Sequence, residues 1–216
     1  MKTIALVTQK GGTGKSSIAV SLAVAAAEAG QSSYVLDLDP QGTSKNWFER
    51  REAETPQVAA IDANQVERAL SALRQQGLGL VIIDTAGVDA PATILAMQAA
   101  DLCLIPARPS IADIEATRAT VASLTKLGKP FAFVLNQCPA GRSIRTSDAY
   151  RVLSLGGVVA SATLATRTDH IDALATGQGV TERDPHGKAA SEVRELLQWL
   201  MNKMEGKIDD KKTRVA

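Results

Sequence analysis

The stretch Ile4-Ala5-Leu6-Val7-Thr8-Gln9-Lys10-Gly11-Gly12-Thr13-Gly14-Lys15-Ser16-Ser17 decides the fold. Ile4 to Val7 form an apolar run that reads as a buried strand. A glycine-rich turn follows, and a helical pattern opens at Ser17. Glycines let backbone N–H groups curl round an anion, because no Cβ blocks the approach. The helix start adds unpaired N–H groups and the positive end of its dipole. In this order the residues read as a site for a nucleoside triphosphate. Lys15 reaches the β- and γ-phosphates, and the Ser16 hydroxyl faces Mg²⁺.

The common phosphate-loop spacing, G-x-x-x-x-G-K-[ST], wants glycine at position 9, where this chain has Gln9 with Lys10 after it. Two lysines therefore flank the glycines in Lys10-Gly11-Gly12-Thr13-Gly14-Lys15-Ser16. The stretch resembles the deviant Walker A motif of the ParA/MinD family of ATPases.

With 216 residues the chain is long enough for one domain with a real core. Hydrophobic residues are 45% and aromatic ones only 3%, so Val, Ile, Leu and Ala must fill that core. Such a core suits parallel strands covered by Ala-rich helices. A formal net charge of +1 names no partner, so any nucleic-acid surface must be a local patch. Cys103 and Cys138 lie far apart in apolar runs and read as buried free thiols. No leader and no membrane-length apolar run is legible, and the expectation is a cytoplasmic protein.

Outward from the loop, Ser17–Ala29 reads as a helix ended by Gly30, and Ser33–Leu38 as the next strand. That strand runs into Asp37-Leu38-Asp39-Pro40-Gln41-Gly42, with both acids at its carboxyl end, the edge where open α/β sheets bind ligands. Either acid could serve a metal ion or an attacking water, or simply cap the next helix. Thr43–Arg51 reads as that helix, 52–63 as a looser stretch, and Asn64–Gln75 as an amphipathic helix. Leu80-Val81-Ile82-Ile83-Asp84 is a buried strand ending in an acid, the Walker B pattern whose carboxylate holds Mg²⁺.

Helices are expected over 90–100 and from Ser110 and Asp113 to Leu127, with strands at Leu102–Pro106 and Phe131–Gln137. Asn136 closes the latter strand, where it could bond adenine or serve only the turn. Arg142, Arg145 and Arg151 form the most basic local stretch. Thr146–Leu155 reads as a helix, 158–160 as a short strand, and 177–187 as loop. The apolar stripe of Lys188–Met204 fits core packing or, as in MinD proteins, a membrane face. Residues 206–216 read as a polar, disordered tail after a single domain spanning 1–205.

Three separated motifs carry the resemblance, and it covers about residues 1–205. Asp37-Leu38-Asp39-Pro40-Gln41-Gly42 is similar to the D-x-D-P-Q-G signature of ParA proteins. The resemblance implies a single-domain doubly wound, mostly parallel α/β sheet flanked by helices. It implies phosphate contacts from Gly11, Gly12, Thr13, Gly14, Lys15, Ser16 and Ser17, Mg²⁺ on Ser16 and Asp84, and water activation by Asp39. It also implies that Lys10 reaches across a homodimer to the partner's nucleotide, so that ATP is sandwiched and hydrolysis releases the pair. A ParA-like protein would bind non-specific DNA as the ATP dimer, in the cytoplasm on the nucleoid, and be stimulated by a ParB-like or other centromere-binding adaptor. Candidate DNA contacts are Arg142, Arg145, Arg151, Arg167 and Lys188. The short approach to Ile4 is similar to the small plasmid partition ATPases. A protein cargo and a MinD-like membrane regulator are the alternatives.

Overall fold

A computed structural model describes residues 1–87 and 91–208. Its seven strands are β1 (Lys2–Leu6), β2 (Ser33–Asp37), β3 (Gln57–Ala60), β4 (Leu80–Asp84), β5 (Leu102–Ala107), β6 (Phe131–Leu135) and β7 (Val158–Val159). They form one sheet in the order β3-β2-β4-β1-β5-β6-β7, and every pairing among the described residues is parallel. The mostly parallel sheet expected from the sequence is thus wholly parallel.

The helices are α1 (Lys15–Glu28), α2 (Thr43–Glu49), α3 (Val66–Gln75), α4 (Pro91–Ala99), α5 (Ile111–Leu127), α6 (Ile144–Gly156), α7 (Thr168–Thr176), α8 (Val180–Arg183) and α9 (Lys188–Met204). They cover both faces, which explains strands that are apolar without alternation. Ile4 and Leu6 of β1 enter one core cluster with α1 and α9, while Ala5 and, just past the strand, Val7 enter the other with α3, α4, α5 and α6. The run Ala23 to Ala26 is wholly buried in α1. These small side chains let α1 pass between the sheet and α9. The stripe of α9 is core: Val193, Leu196, Leu197 and Leu200 are buried in the same cluster as α1.

The sequence reading needs several corrections. The helix expected from Ser17 begins two residues earlier, because Gly14 takes the N-cap position in left-handed backbone at φ 88°. The looser stretch 52–63 contains β3, an edge strand in which only Val58 is buried, so it carries little pattern of its own. The loop expected over 177–187 contains α8, whose Val180 and Thr181 are buried. The sixth strand stops at Leu135, placing Asn136 and Gln137 just past the sheet. The first residue of the helix expected over 90–100, and the tail from 209, lie outside the described residues.

β1 lies between β4 and β5, where the connectivity switches sides. The crevice at the carboxyl ends of β1, β2 and β4 is the position that open parallel sheets use for ligands.

Candidate functional site

The turn after β1 delivers its glycines to the head of α1. No side chain caps α1, so its first N–H groups keep their capacity for an external anion. A cavity of about 520 Å³ opens there, lined by Gly11, Gly12, Gly14, Lys15, Ser16 and Ser17, with Asp39 and Gly87 among the facing residues. Gly14 is required twice over, by its positive φ and because a Cβ would collide with the Asn136 side chain. Gly87 presses on the turn, since a Cβ there would meet Gly11 Cα at 2.8 Å. Lys15 is buried, and burial pulls its pKa below the usual lysine value against the opposing charges of Asp84 and Asp39. A phosphate group here would restore the balance of charge.

Asp84 ends β4 fully buried. Its Oδ2 accepts a 2.7 Å bond from Ser44 Oγ in the first turn of α2, and the Ser16 hydroxyl stands near enough to the carboxylate to favour its charged form. Its Oδ1 has no hydrogen-bond partner. Burial pushes the pKa up to about 7, and the two serine hydroxyls only partly restrain it. An unpartnered buried carboxylate oxygen beside a hydroxyl suits a hard divalent cation, so the donor set fits Mg²⁺ on Ser16 and Asp84.

The two acids of the Asp-Leu-Asp run separate in role. Asp37 stands in register with Asp84 on the neighbouring strand and accepts from the backbone N–H of Asp39 (3.0 Å) and of Lys45 (2.9 Å). It is the cap of α2, and burial holds its carboxyl above the ordinary range despite those bonds. Asp39 reaches the cavity and accepts from Gln41 N at 2.9 Å.

Lys10 is not part of the cavity lining. Its Nζ lies 3.0 Å from Asp113 Oδ2, while Arg108 Nε donates to the other oxygen at 2.9 Å and Ser110 Oγ bonds Oδ2 as well. Burial alone would raise the Asp113 pKa, but the bonds from Ser110, Arg108 and Lys10 outweigh it and hold the carboxyl below its usual range. Sequence reasoning used Asp113 only as an acidic helix start and gave Arg108 no role, and it took Thr43 or Ser44 as the cap of α2, whereas Gly42 holds the N-cap position and Ser44 turns to Asp84. Lys10 lies 103 residues from Asp113 and Ser44 lies 40 from Asp84, so no local pattern announces those two pairs.

Asn136 donates from Nδ2 to Thr13 O at 2.7 Å, and Gln137 Nε2 to Gly12 O at 3.0 Å. Both therefore brace the turn from β6. Asn136 also borders a second cavity of about 340 Å³ that shares Gly14 and Ser17 with the first. The basic candidates belong to α6, α7 and α9 or to the residues just before them. Arg142, Arg145 and Arg151 are exposed in or just before α6, and exposed Lys188 opens α9. Arg167 is held by Glu192, with Nη2 2.6 Å from Oε1, and lines the second cavity.

A glycine turn between the central strand and a helix, a buried lysine at its head and an acid at the end of the adjacent strand define a P-loop nucleotide-binding protein. Residues 4–180 match the model of the CobQ/CobB/MinD/ParA nucleotide-binding domain, and the chain belongs to that family, in its ParA/MinD branch.

Maintenance of carboxysome distribution protein A from Gloeobacter kilaueensis is 36% identical over 122 residues, 56% of this chain and 55% of that protein. The chain thus matches about half the length of that relative. The protein of the same name from Halothiobacillus neapolitanus is 26% identical over 90% of this chain and 94% of its own. Chromosome-partitioning ATPase Soj from Thermus thermophilus is 27% identical over 59% of this chain and 63% of its own. Among solved structures, a chain of the MinC:MinD cell division protein complex of Aquifex aeolicus superposes with a TM-score of 0.79 at 15% identity, over 94% of this chain and 96% of that one. That likeness shows the fold.

Proposed function

We propose that this chain is an ATPase that dimerises around ATP, binds DNA without sequence preference in that state, and is switched off by hydrolysis when an adaptor protein engages it. The observation that supports it best is the placement of Lys10. A cation beside the phosphate turn, outside its own cavity and held by a side-chain ion pair, is available to a second molecule.

Gly11 to Ser17 would cradle the phosphates, with Lys15 on the β- and γ-groups. Ser16 and Asp84 would hold Mg²⁺, which would neutralise negative charge on the phosphates. Asp39, at the cavity mouth, would orient the attacking water. Asn136 would set the base beside the second cavity through the carboxamide oxygen that its bond to Thr13 leaves over. Lys10 of each protomer would offset charge on the partner's nucleotide, as an arginine finger does.

Arg142, Arg145, Arg151 and Lys188 would meet DNA phosphates, with Arg167 a weaker member because Glu192 already pairs it. Cargo would be DNA, as in the chromosome partitioning for which the Soj relative is named, or a protein assembly, as the names of the carboxysome-distribution relatives suggest. No described helix is long and apolar enough to cross a membrane, and the apolar face of α9 is occupied by the core, so little supports a lipid partner.

The test is binding to a random-sequence duplex with ATP, with ADP and without nucleotide, across a salt series. Tight binding with ATP alone, weakening steeply with salt, is expected. Binding in no nucleotide state would overturn the DNA reading, and anionic vesicles would be the next surface to try.

A further inference from the structure

Asp113 holds three donors in a nearly buried position, its side chain 3% exposed. Lys10 approaches Oδ2, Arg108 Nε approaches Oδ1, and Ser110 Oγ completes the set. A buried carboxylate stripped of its cationic partner is costly, because the lone charge has lost its water and gained nothing in return. The two cations are not equivalent. Arg108 sits five residues before Asp113 on the β5–α5 connection, so the chain itself keeps it near. Lys10 belongs to the phosphate turn, 103 residues away in sequence, on a flexible four-carbon stem.

We propose that Arg108 is a positioning residue that frees Lys10: it stays on Asp113 as the counter-charge when Lys10 swings to the partner's nucleotide. The proposal rests on the reading of Lys10 as a group that acts in trans. Bonded to Oδ1, Arg108 leaves Oδ2 as the site that Lys10 vacates, and Ser110 Oγ remains on that oxygen. Without Arg108, departure of Lys10 would leave Asp113 with a hydroxyl alone. Lys10 would then stay on its own protomer, and the ATP dimer would lose two trans contacts at once, one from each side of the symmetric interface.

The experiment measures the dimer dissociation constant at saturating Mg·ATP by sedimentation, in an Asp39→Ala background so that hydrolysis does not drain the dimer. Arg108→Gln is expected to weaken the dimer about tenfold or more, and Arg108→Lys to restore most of it. Adding Asp113→Asn to Arg108→Gln is expected to return dimerisation to the Asp39→Ala level, because no anion then holds Lys10. A purely structural role would give the opposite sign, with the second substitution adding to the damage. Lys10→Ala is the control for the underlying reading.

If Lys10→Ala weakens the dimer and Arg108→Gln does not, the role of Arg108 is overturned and the trans lysine stands. Weakening by Arg108→Gln that Asp113→Asn fails to relieve also overturns it. If neither Lys10→Ala nor Arg108→Gln changes the dimer, both readings fall together.

Discussion

At the scale of single residues, the site stores electrostatic cost that a ligand would relieve. Asp84 is the main instance. Its pKa of about 7 in the nucleotide-free protein lies above that of the unfolded chain, so between the two values the folded state binds more protons. Stability therefore falls as pH rises from about 4 to about 7 and levels off above. Asp84→Asn keeps the volume and an acceptor for Ser44 but never ionises. The substitution is expected to stabilise the nucleotide-free protein at pH 8 by a few kcal/mol, on the order set by a shift of this size, and to change little at pH 4. Urea unfolding at the two pH values checks it, and equal effects at both would refute the argument. The same variant should lose the Mg²⁺-dependent part of nucleotide affinity. The chemistry of this site was legible in the sequence where it is local, because glycine, lysine and serine at fixed spacing form the turn themselves. The roles of Asp113 and Ser44 were not, because Lys10 meets Asp113 only once β1 and β5 lie side by side, and Ser44 meets Asp84 only once α2 folds back over the end of β4.

At the scale of elements, α2 carries the consequence of whatever happens at Asp39. Its head is capped by Asp37 from β2, and its tail is pinned by Arg51. The Arg51 side chain is only 3% exposed. Its guanidinium bonds the carbonyls of Thr55 and Gly177 and both oxygens of Glu182, and it lies 5.0 Å from the centroid of the buried Trp47 ring. Trp47 in turn donates to Gln178 O at 2.9 Å. Arg51→Ala would leave Glu182 partly buried without its cation and remove two carbonyl partners, at a cost of about 3 kcal/mol. Arg51→Lys should recover little, since a point charge cannot make the forked contact. Denaturant midpoints for the two variants decide this, and near-wild-type stability of the lysine variant would mean that charge alone suffices. This clamp also explains why α8 escaped a reading by pattern. The four residues after Gly179 form a helix because Arg51 and Trp47, some 130 residues earlier, fix the backbone around Gly177, Gln178 and Glu182. The edge strand β3 likewise takes its form from β2 rather than from its own weak alternation. The long apolar strands and α9 announce themselves by their own hydrophobic runs, and they were legible.

For the whole molecule, a formal charge of +1 on 216 residues produces little general attraction for DNA, so under the proposed function nucleotide control of DNA binding would come from assembly. Two copies joined across the phosphate face would present two basic patches on one rigid body. The second patch then binds at high effective concentration, which turns weak monomer contacts into a tight, salt-sensitive dimer contact. Assembly is also where Lys10 and Asp39 separate. Asp39 lies in its own cavity, so Asp39→Ala should block water activation and leave the dimer intact, accumulating an ATP dimer at saturating nucleotide. Lys10 is held outside that cavity by Asp113, so Lys10→Ala should leave nucleotide affinity within about threefold while lowering adaptor-stimulated turnover on the order of a hundredfold or more, as loss of a trans cation does. Sedimentation with ATP and a phosphate-release assay with and without adaptor separate the two. A monomeric Asp39→Ala protein would remove Asp39 from the hydrolytic step. Normal stimulated turnover in Lys10→Ala would place the work of Lys10 wholly within its own protomer, and the DNA-bound state would then need another source of its dependence on ATP.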